Sequence, residues 1–195
     1  MTLSVKTVCG GAMAPFIADI ARLRIAVFRE FPYLYDGSVE YEERYLAHYA
    51  RTPRSVVVLA LDDDQIVGAS TGLPLEDDSG PFAQPFVEDG HDVSEIFYCA
   101  ESILLPPYRG SGLYRTFFDS RETHAREHGF DVSAFCGVNR PVDHPLRPAD
   151  YTPLDEVWQH FGYQKAPRLK ATLPWRDIDQ SADTEKSLTF WLKHL

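Results

Sequence analysis

Between Ser55 and Tyr108 the chain has no lysine or arginine at all. Carboxylates crowd the same stretch, at Asp62 to Asp64, Glu76 to Asp78, Glu88, Asp89, Asp92, Glu95 and Glu101. With a net charge of −10, general affinity for nucleic acid or an anionic membrane is not expected. Two readings of the acidic stretch stay open: a solvated set of loops, or an electrostatic funnel for a cationic, amine-bearing substrate. Cysteine is also scarce. Cys9, Cys99 and Cys136 each sit in an apolar, strand-like segment without ligand spacing, which predicts buried, reduced thiols and no disulfide framework. No apolar run approaches the length of a membrane span, and the N-terminus lacks a cleavable signal pattern, so a cytoplasmic location is expected.

What is present suits one globular domain: 195 residues, 44% hydrophobic and 25% charged. The chain is organised around Glu95 to Phe130. An apolar run from Ile96 to Leu105 reads as a strand, breaks at Pro106-Pro107, and passes through Tyr108-Arg109-Gly110-Ser111-Gly112 into a helix over Leu113 to His128. At such a junction the first helical N–H groups lack intrahelical partners and the helix dipole is positive, so phosphate or pyrophosphate is the natural occupant. Gly110 and Gly112 would let the backbone approach it closely.

Upstream, Leu3 to Val8 reads as a strand ended by Gly10-Gly11. Apolar residues at helical spacing from Ile17 to Phe31 predict a helix from Ala14 to about Glu30, stopped by Pro32. The aromatic stretch Tyr33 to Gly37 either packs on the core or walls a substrate site. Ser38 caps a second helix, Glu40 to Ala50. Ser55 to Leu61 and Gln65 to Leu73 form a hairpin about Asp62-Asp63-Asp64. Pro74 to Asp92 is a long connection anchored by Phe82, Phe86 and Val87. Downstream, Gly129 ends the central helix and Asp131 to Val138 returns as a parallel strand. A Pro-rich loop follows over Asn139 to Tyr151, then a short helix, Pro153 to Phe161, capped by Thr152 and ended by Gly162. Leu169 to Trp175 and Leu188 to Leu195 complete the chain as an antiparallel pair, the last an edge strand whose Phe190 and Trp191 could form a homodimer surface.

Arg109-x-x-Gly112, placed after a proline and a strand with a central carboxylate, resembles motif A of the GNAT superfamily of N-acetyltransferases. Tyr114 stands where that pattern keeps a Gly or Ala. Val157 to Tyr163 is similar to a second family segment, with Trp158 where the family often has a proton-donating tyrosine. The resemblance covers nearly the whole chain. It implies an α/β (α+β) fold: a mixed, mostly antiparallel twisted sheet with flanking helices, split at its central parallel strand pair. It also implies acetyl-CoA as cosubstrate, direct transfer to an amine, and no metal. Gly110, Ser111, Gly112, Leu113, Tyr114 and Arg115, with Arg109, would then hold the pyrophosphate, while Ser102, Ile103 and Leu104 would follow the pantetheine arm. Asn139 matches a residue that many members place near that arm; otherwise it is a turn residue.

Acetyl transfer needs a neutral amine, so a base must take its proton. Glu101 is the first choice, because a carboxylate inside an apolar strand is costly unless paired or used. Its alternative is an ion pair with Arg115 or another cation. Tyr98 is second, as acid, orienter of water or core aromatic. Glu95, at the strand mouth, would attract substrate, and Tyr33 and Tyr35 would contact it. The general acid is unassigned, because an indole N–H is not a labile acid; His144 and Tyr151 are loop candidates. His124-x-x-Glu127-His128 has the spacing of an inverted zinc motif but no evident third ligand. A Cys136–His144 nucleophilic pair lacks a group to orient the histidine. A non-catalytic acyl-CoA-binding module is the alternative function.

Overall fold

A computed structural model of the chain describes residues 2–78 and 80–195. Among the described residues, seven strands form one sheet: β1 (Leu3–Cys9), β2 (Val56–Asp62), β3 (Gln65–Pro74), β4 (Ile96–Leu104), β5 (Val132–Val138), β6 (Gln164–Trp175) and β7 (Thr184–His194). Their order is β1-β2-β3-β4-β5-β7-β6, with β4–β5 the parallel pair. Five α-helices among the described residues flank them: α1 (Ile17–Phe28), α2 (Val39–Arg51), α3 (Gln84–Glu88), α4 (Leu113–Glu127) and α5 (Asp155–His160).

Two cores lie on opposite faces of the sheet. β2 shows why: Val57 and Leu59 pack with Ile20, Leu23 and Leu46 of α1 and α2, while Val56, Val58 and Ala60 pack with Phe117 and Phe118 of α4. A strand covered on both faces has no polar face to alternate, hence its continuous apolar run. Phe117 and Phe118 are 0% and 2% exposed, and burial of each contributes about 1.5–3 kcal/mol. The edge strand β1 is mostly exposed.

Several expectations are met closely. Ser38 caps α2, its hydroxyl accepting from the Tyr41 N–H at 3.3 Å, and Gly129 takes positive φ after α4. Others are corrected. Residues 10–16 form a 3-10 turn with Pro15 inside it, so α1 begins at Ile17. The long connection contains α3; Phe82 and Phe86 are buried there, but Val87 is 59% exposed and anchors nothing. Leu154, not Thr152, occupies the N-cap position of α5, with no side-chain cap. β6 begins at Gln164, because a register shift between Ala166 and Lys170 accommodates Pro167 and breaks the alternation. The last strand is not an edge: β7 lies between β5 and β6, with Phe190 and Trp191 at 0% and 1% exposure. That surface is therefore closed to a second copy. Cys99 and Cys136 are buried and free, whereas Cys9, also free, is exposed on the edge strand. Among the described residues, no helix is long and apolar enough to cross a membrane.

Candidate active site

The site begins where β4 and β5 part. Their pairing covers only Ile96–Tyr98 against Val132–Ala134. Beyond it β4 stays with β3 and β5 with β7, so main-chain groups of β4 after Tyr98 lose their partners on one side. A cavity of about 1130 Å3 follows this parting. It runs from Arg109, Gly110, Gly112 and Arg115, past Ser102, Leu104 and Asn139, to Cys99, Ala100 and Glu101.

The glycine turn is built for close approach. Gly110 and Gly112 have φ of +75° and +89°, and a Cβ at either position would meet nothing within 4 Å. Gly112 also caps α4 without a side-chain hydrogen bond, leaving the N–H groups of the first turn free of a capping side chain. The Arg109 side chain braces the turn: Nε donates to the Leu104 carbonyl at 3.1 Å and Nη2 lies 2.9 Å from Glu30 Oε2. Ser111 Oγ donates to the Tyr108 carbonyl at 2.6 Å. Arg115 stands over the Phe161 ring and reaches His160 Nε2 at 3.1 Å, away from Glu101.

The two departures from the motif meet each other. Trp158 Nε1 donates to Tyr114 Oη at 3.0 Å, and both side chains line the cavity. Gly137 makes room for the indole, since a Cβ there would lie 2.9 Å from Trp158. Tyr114 packs edge-on to Phe118 and Phe161, and burial raises its hydroxyl pKa. Its bulk therefore lies along the cavity wall.

Glu101 belongs to a buried cluster that the sequence reading did not assemble. Arg24 of α1 lies between two carboxylates, its Nε bonded to Glu42 Oε2 and its Nη1 2.5 Å from Glu101 Oε2. The guanidinium is covered by the Phe28 and Tyr45 rings, at 5.0 and 4.4 Å from their centroids. Among the described residues, Arg24 Nη1, Glu42 Oε1 and Glu101 Oε1 are buried without a hydrogen-bond partner of good geometry, while burial first and then the nearby Glu42 carboxylate raise the Tyr35 hydroxyl pKa. The expected cation for Glu101 is thus Arg24, not Arg115. A signal existed in the sequence: Arg24 and Glu42 stand on the apolar stripes of their helices, at Ile20+4 and Leu46−4. Arg121 of α4 was missed too; 2% exposed, it donates to the Glu101 carbonyl at 3.0 Å and fills the helix side of the parting.

A second cavity, of about 390 Å3, opens on the α1–α2 face. Both cavities touch Phe28, Tyr33, Ala100, Glu101 and Cys136. Tyr35 and Tyr98 line the smaller one. Tyr98 is 1% exposed, stacked on Phe82, and its hydroxyl meets Cys136 Sγ at 3.2 Å. Burial first, then the proximity of Cys136, raises the Tyr98 pKa, so it stays a neutral phenol. Burial also pushes the Cys136 thiol up to about 12, the Tyr98 hydrogen bond opposing it.

The aromatic loop is clasped in place. Arg140 donates to the carbonyls of Pro32 and Tyr33, both at 2.7 Å, and to both oxygens of Asp177 at 2.7 and 2.9 Å. Trp175 Nε1 donates to the Tyr33 carbonyl at 3.1 Å. Asn139 donates across to Ser187 and Thr189 of β7, which fixes the end of β5 beside the cavity.

Some candidates fall outside this arrangement. Glu95 is exposed at the start of β4 and lines neither cavity. Within the acidic stretch, Glu101 alone lines either cavity; Glu76 and Asp77 pair with Arg54, and Asp89 with Arg168. The side chains of Ile103 and Leu113 are buried in the cores, which leaves only their main chain for the cavity. His124 Nε2 lies 3.0 Å from the Arg54 carbonyl and His128 Nδ1 2.8 Å from the His124 carbonyl, so both rings are engaged by backbone. His144 packs on Phe31 and bonds the Leu146 N–H, whereas Cys136 faces Tyr98. Tyr151 also packs on Phe31, at the outer wall of the large cavity.

A sheet that splits at one parallel pair, with a glycine turn opening the helix between those strands, defines the GNAT fold, and this chain has it. Solved structures agree along its whole length. Ribosomal-protein-alanine N-acetyltransferase from Brucella melitensis is 15% identical with a TM-score of 0.62, covering 98% of this chain and 99% of its own. A GNAT-family protein from Desulfovibrio desulfuricans is 12% identical with a TM-score of 0.58, covering 99% of both chains. YncA from Salmonella typhimurium, solved with its cofactor acetyl-CoA, is 13% identical with a TM-score of 0.59, covering 100% of this chain and 95% of its own. No protein-family model matches the chain, and no curated protein matches it by sequence.

Proposed function

We propose that this protein is an acetyl-CoA-dependent N-acetyltransferase that moves an acetyl group directly to a primary amine of a small molecule or peptide. The observation that carries this reading is the meeting of the two cavities at Ala100 and Glu101: one starts at an open glycine turn, the other ends on a buried carboxylate. The turn fits a diphosphate, because its N–H groups are uncapped and no Cβ obstructs them. Residues 109–115 would hold that group, with Ser102, Leu104 and Asn139 along the arm. Acetyl-CoA supplies an activated acyl carbonyl; main-chain N–H groups of β4, left without β5 partners, are suited to bind its oxygen.

Glu101 takes the amine proton, with Arg24 fixing its position from the other oxygen. Tyr98 orients the amine or a water as a neutral hydroxyl donor. Tyr114, held by Trp158, supplies the hydroxyl that Trp158 itself cannot. A thiol of pKa about 12 at Cys136 is thiolate in only roughly one molecule in 100,000 at pH 7, which supports direct transfer without an acyl-enzyme. The alternative reading, a non-catalytic acyl-CoA-binding module, is favoured by Trp158 alone.

Calorimetry with acetyl-CoA and a thiol-release assay on an amine panel separate the two. Transfer requires both binding and release; binding without release supports the module. Glu101→Gln should lower kcat about 100-fold or more at pH 7 while the Kd for acetyl-CoA stays unchanged. Undiminished turnover would show that another group is the base.

A further inference from the structure

We propose that the acceptor is a small arylalkylamine, a protonated primary amine one or two carbons from an aromatic ring, bound in the 390 Å3 cavity with its ammonium between Glu42 and Glu101. This rests on the acyl-transfer reading and narrows its substrate. The first observation is charge. Glu42, Arg24 and Glu101 form a buried cluster of two carboxylates and one guanidinium, with side-chain exposures of 0%, 10% and 3%. One cation is therefore lacking. Arg24 carries a single positive charge, held between the Phe28 and Tyr45 rings, with Nε bonded to Glu42 Oε2 and Nη1 in ion-pair contact with Glu101 Oε2 but without a hydrogen bond of its own. Glu42 and Glu101 line this cavity, and among the described residues their Oε1 atoms are buried just behind its surface without a hydrogen-bond partner. An ammonium seated against these two residues would supply the missing positive charge, with one of its protons facing the proposed base.

The second observation is the wall. Phe28, Tyr33, Tyr45, Phe82, Tyr98 and Trp175 line the cavity, with Tyr33 packed on Phe28 at 4.6 Å and on Trp175 at 6.2 Å between ring centroids. Aromatic pairs add attraction beyond area burial, so a ring is preferred to an alkyl chain of equal hydrophobicity. At the mouth Asp36 is already held by Arg29 and Arg176, and Asp183 is exposed. A second ammonium gains little there, because exposed charge pairs are screened. The cavity thus accommodates one buried cation and one ring, a different fit from that of a polyamine.

The test is a thiol-release assay with acetyl-CoA and four acceptors: phenethylamine, tyramine, n-hexylamine and putrescine. The ring-bearing amines should exceed the other two in kcat/KM by about tenfold or more. Rates independent of the ring, or highest with putrescine, overturn the proposal. Calorimetry with acetyl-CoA is run first: failure to bind removes the acyl-transfer reading itself, whereas binding without ring preference removes only the substrate class. Glu42→Gln should raise KM for phenethylamine about 10- to 100-fold, with kcat altered far less and acetyl-CoA affinity unchanged. A fall in kcat at constant KM contradicts ammonium binding there. On the unsubstituted protein, phenethylamine should quench fluorescence at concentrations at least about tenfold below those needed for phenethyl alcohol, which lacks the charge. Equal potency of the two refutes the ammonium site independently of any variant.

Discussion

Replacing Arg24 by methionine would remove the one cation that two buried carboxylates share while keeping most of the apolar stem. Glu42 and Glu101 have side chains 0% and 3% exposed, so neither can turn to water for compensation. Breaking a buried pair by deleting one partner costs about 3–5 kcal/mol, because an uncompensated charge is left behind. For a chain of 195 residues that corresponds to a fall in Tm on the order of 10 °C. The assay is urea unfolding at pH 7, followed by tryptophan fluorescence from Trp158, Trp175 and Trp191, with the slope compared as a check on two-state behaviour. The triple variant Arg24→Met, Glu42→Gln, Glu101→Gln removes all three charges and should recover most of the loss. An Arg24→Met protein within about 1 kcal/mol of the unsubstituted one would refute the claim that this cluster is a charge-coupled unit.

Three further outcomes follow from the same contacts. Tyr114→Phe strands the Trp158 N–H and should cost about 1 kcal/mol of stability while lowering kcat in the thiol-release assay; unchanged kcat would remove Tyr114 as proton donor. Asp177→Asn should loosen the aromatic loop. Burial raises the Asp177 pKa, but the hydrogen bonds and charge of Arg140, with Lys186, outweigh it and hold the carboxyl below its usual range. Its stabilisation is therefore complete above the ordinary carboxylate pKa of about 3.9 and lost as pH falls, and acid unfolding of the variant should show a shallower pH dependence. Burial likewise lowers the His124 pKa, so the protein should lose stability as pH drops below about 6.5, where the unfolded imidazole takes up a proton that the folded one resists. A His124→Gln variant should lack that slope in urea midpoints measured from pH 7.5 to 5.

Much of the architecture was legible because local rules fixed it. The turn at Gly110 and Gly112, the Ser38 cap and the apolar run of β2 are set by positive φ, orphan N–H groups and two-sided burial, all written in residues close together. The reading failed where long-range pairing decides. The last strand looked like an edge because its second partner, β5, is remote in sequence, and the alternation that marks its neighbour β6 is interrupted near Pro167. Glu101 could be singled out as a carboxylate in an apolar strand, yet its cation lies 77 residues earlier, by the numbers of Arg24 and Glu101, on a helix of its own.

The sequence by itself determined the strand, turn and helix from Ile96 to Glu127 and hence a place suited to a phosphate, since backbone sterics and the helix dipole act within a few residues. Only the tertiary structure decided what faces that place. Packing α1 and α2 on one side of β4, and α4 on the other, brought Arg24 and Glu42 to Glu101 and closed a ring of aromatics around them. Charges find their partners through space, and the sheet's parting after Tyr98 joins the two cavities.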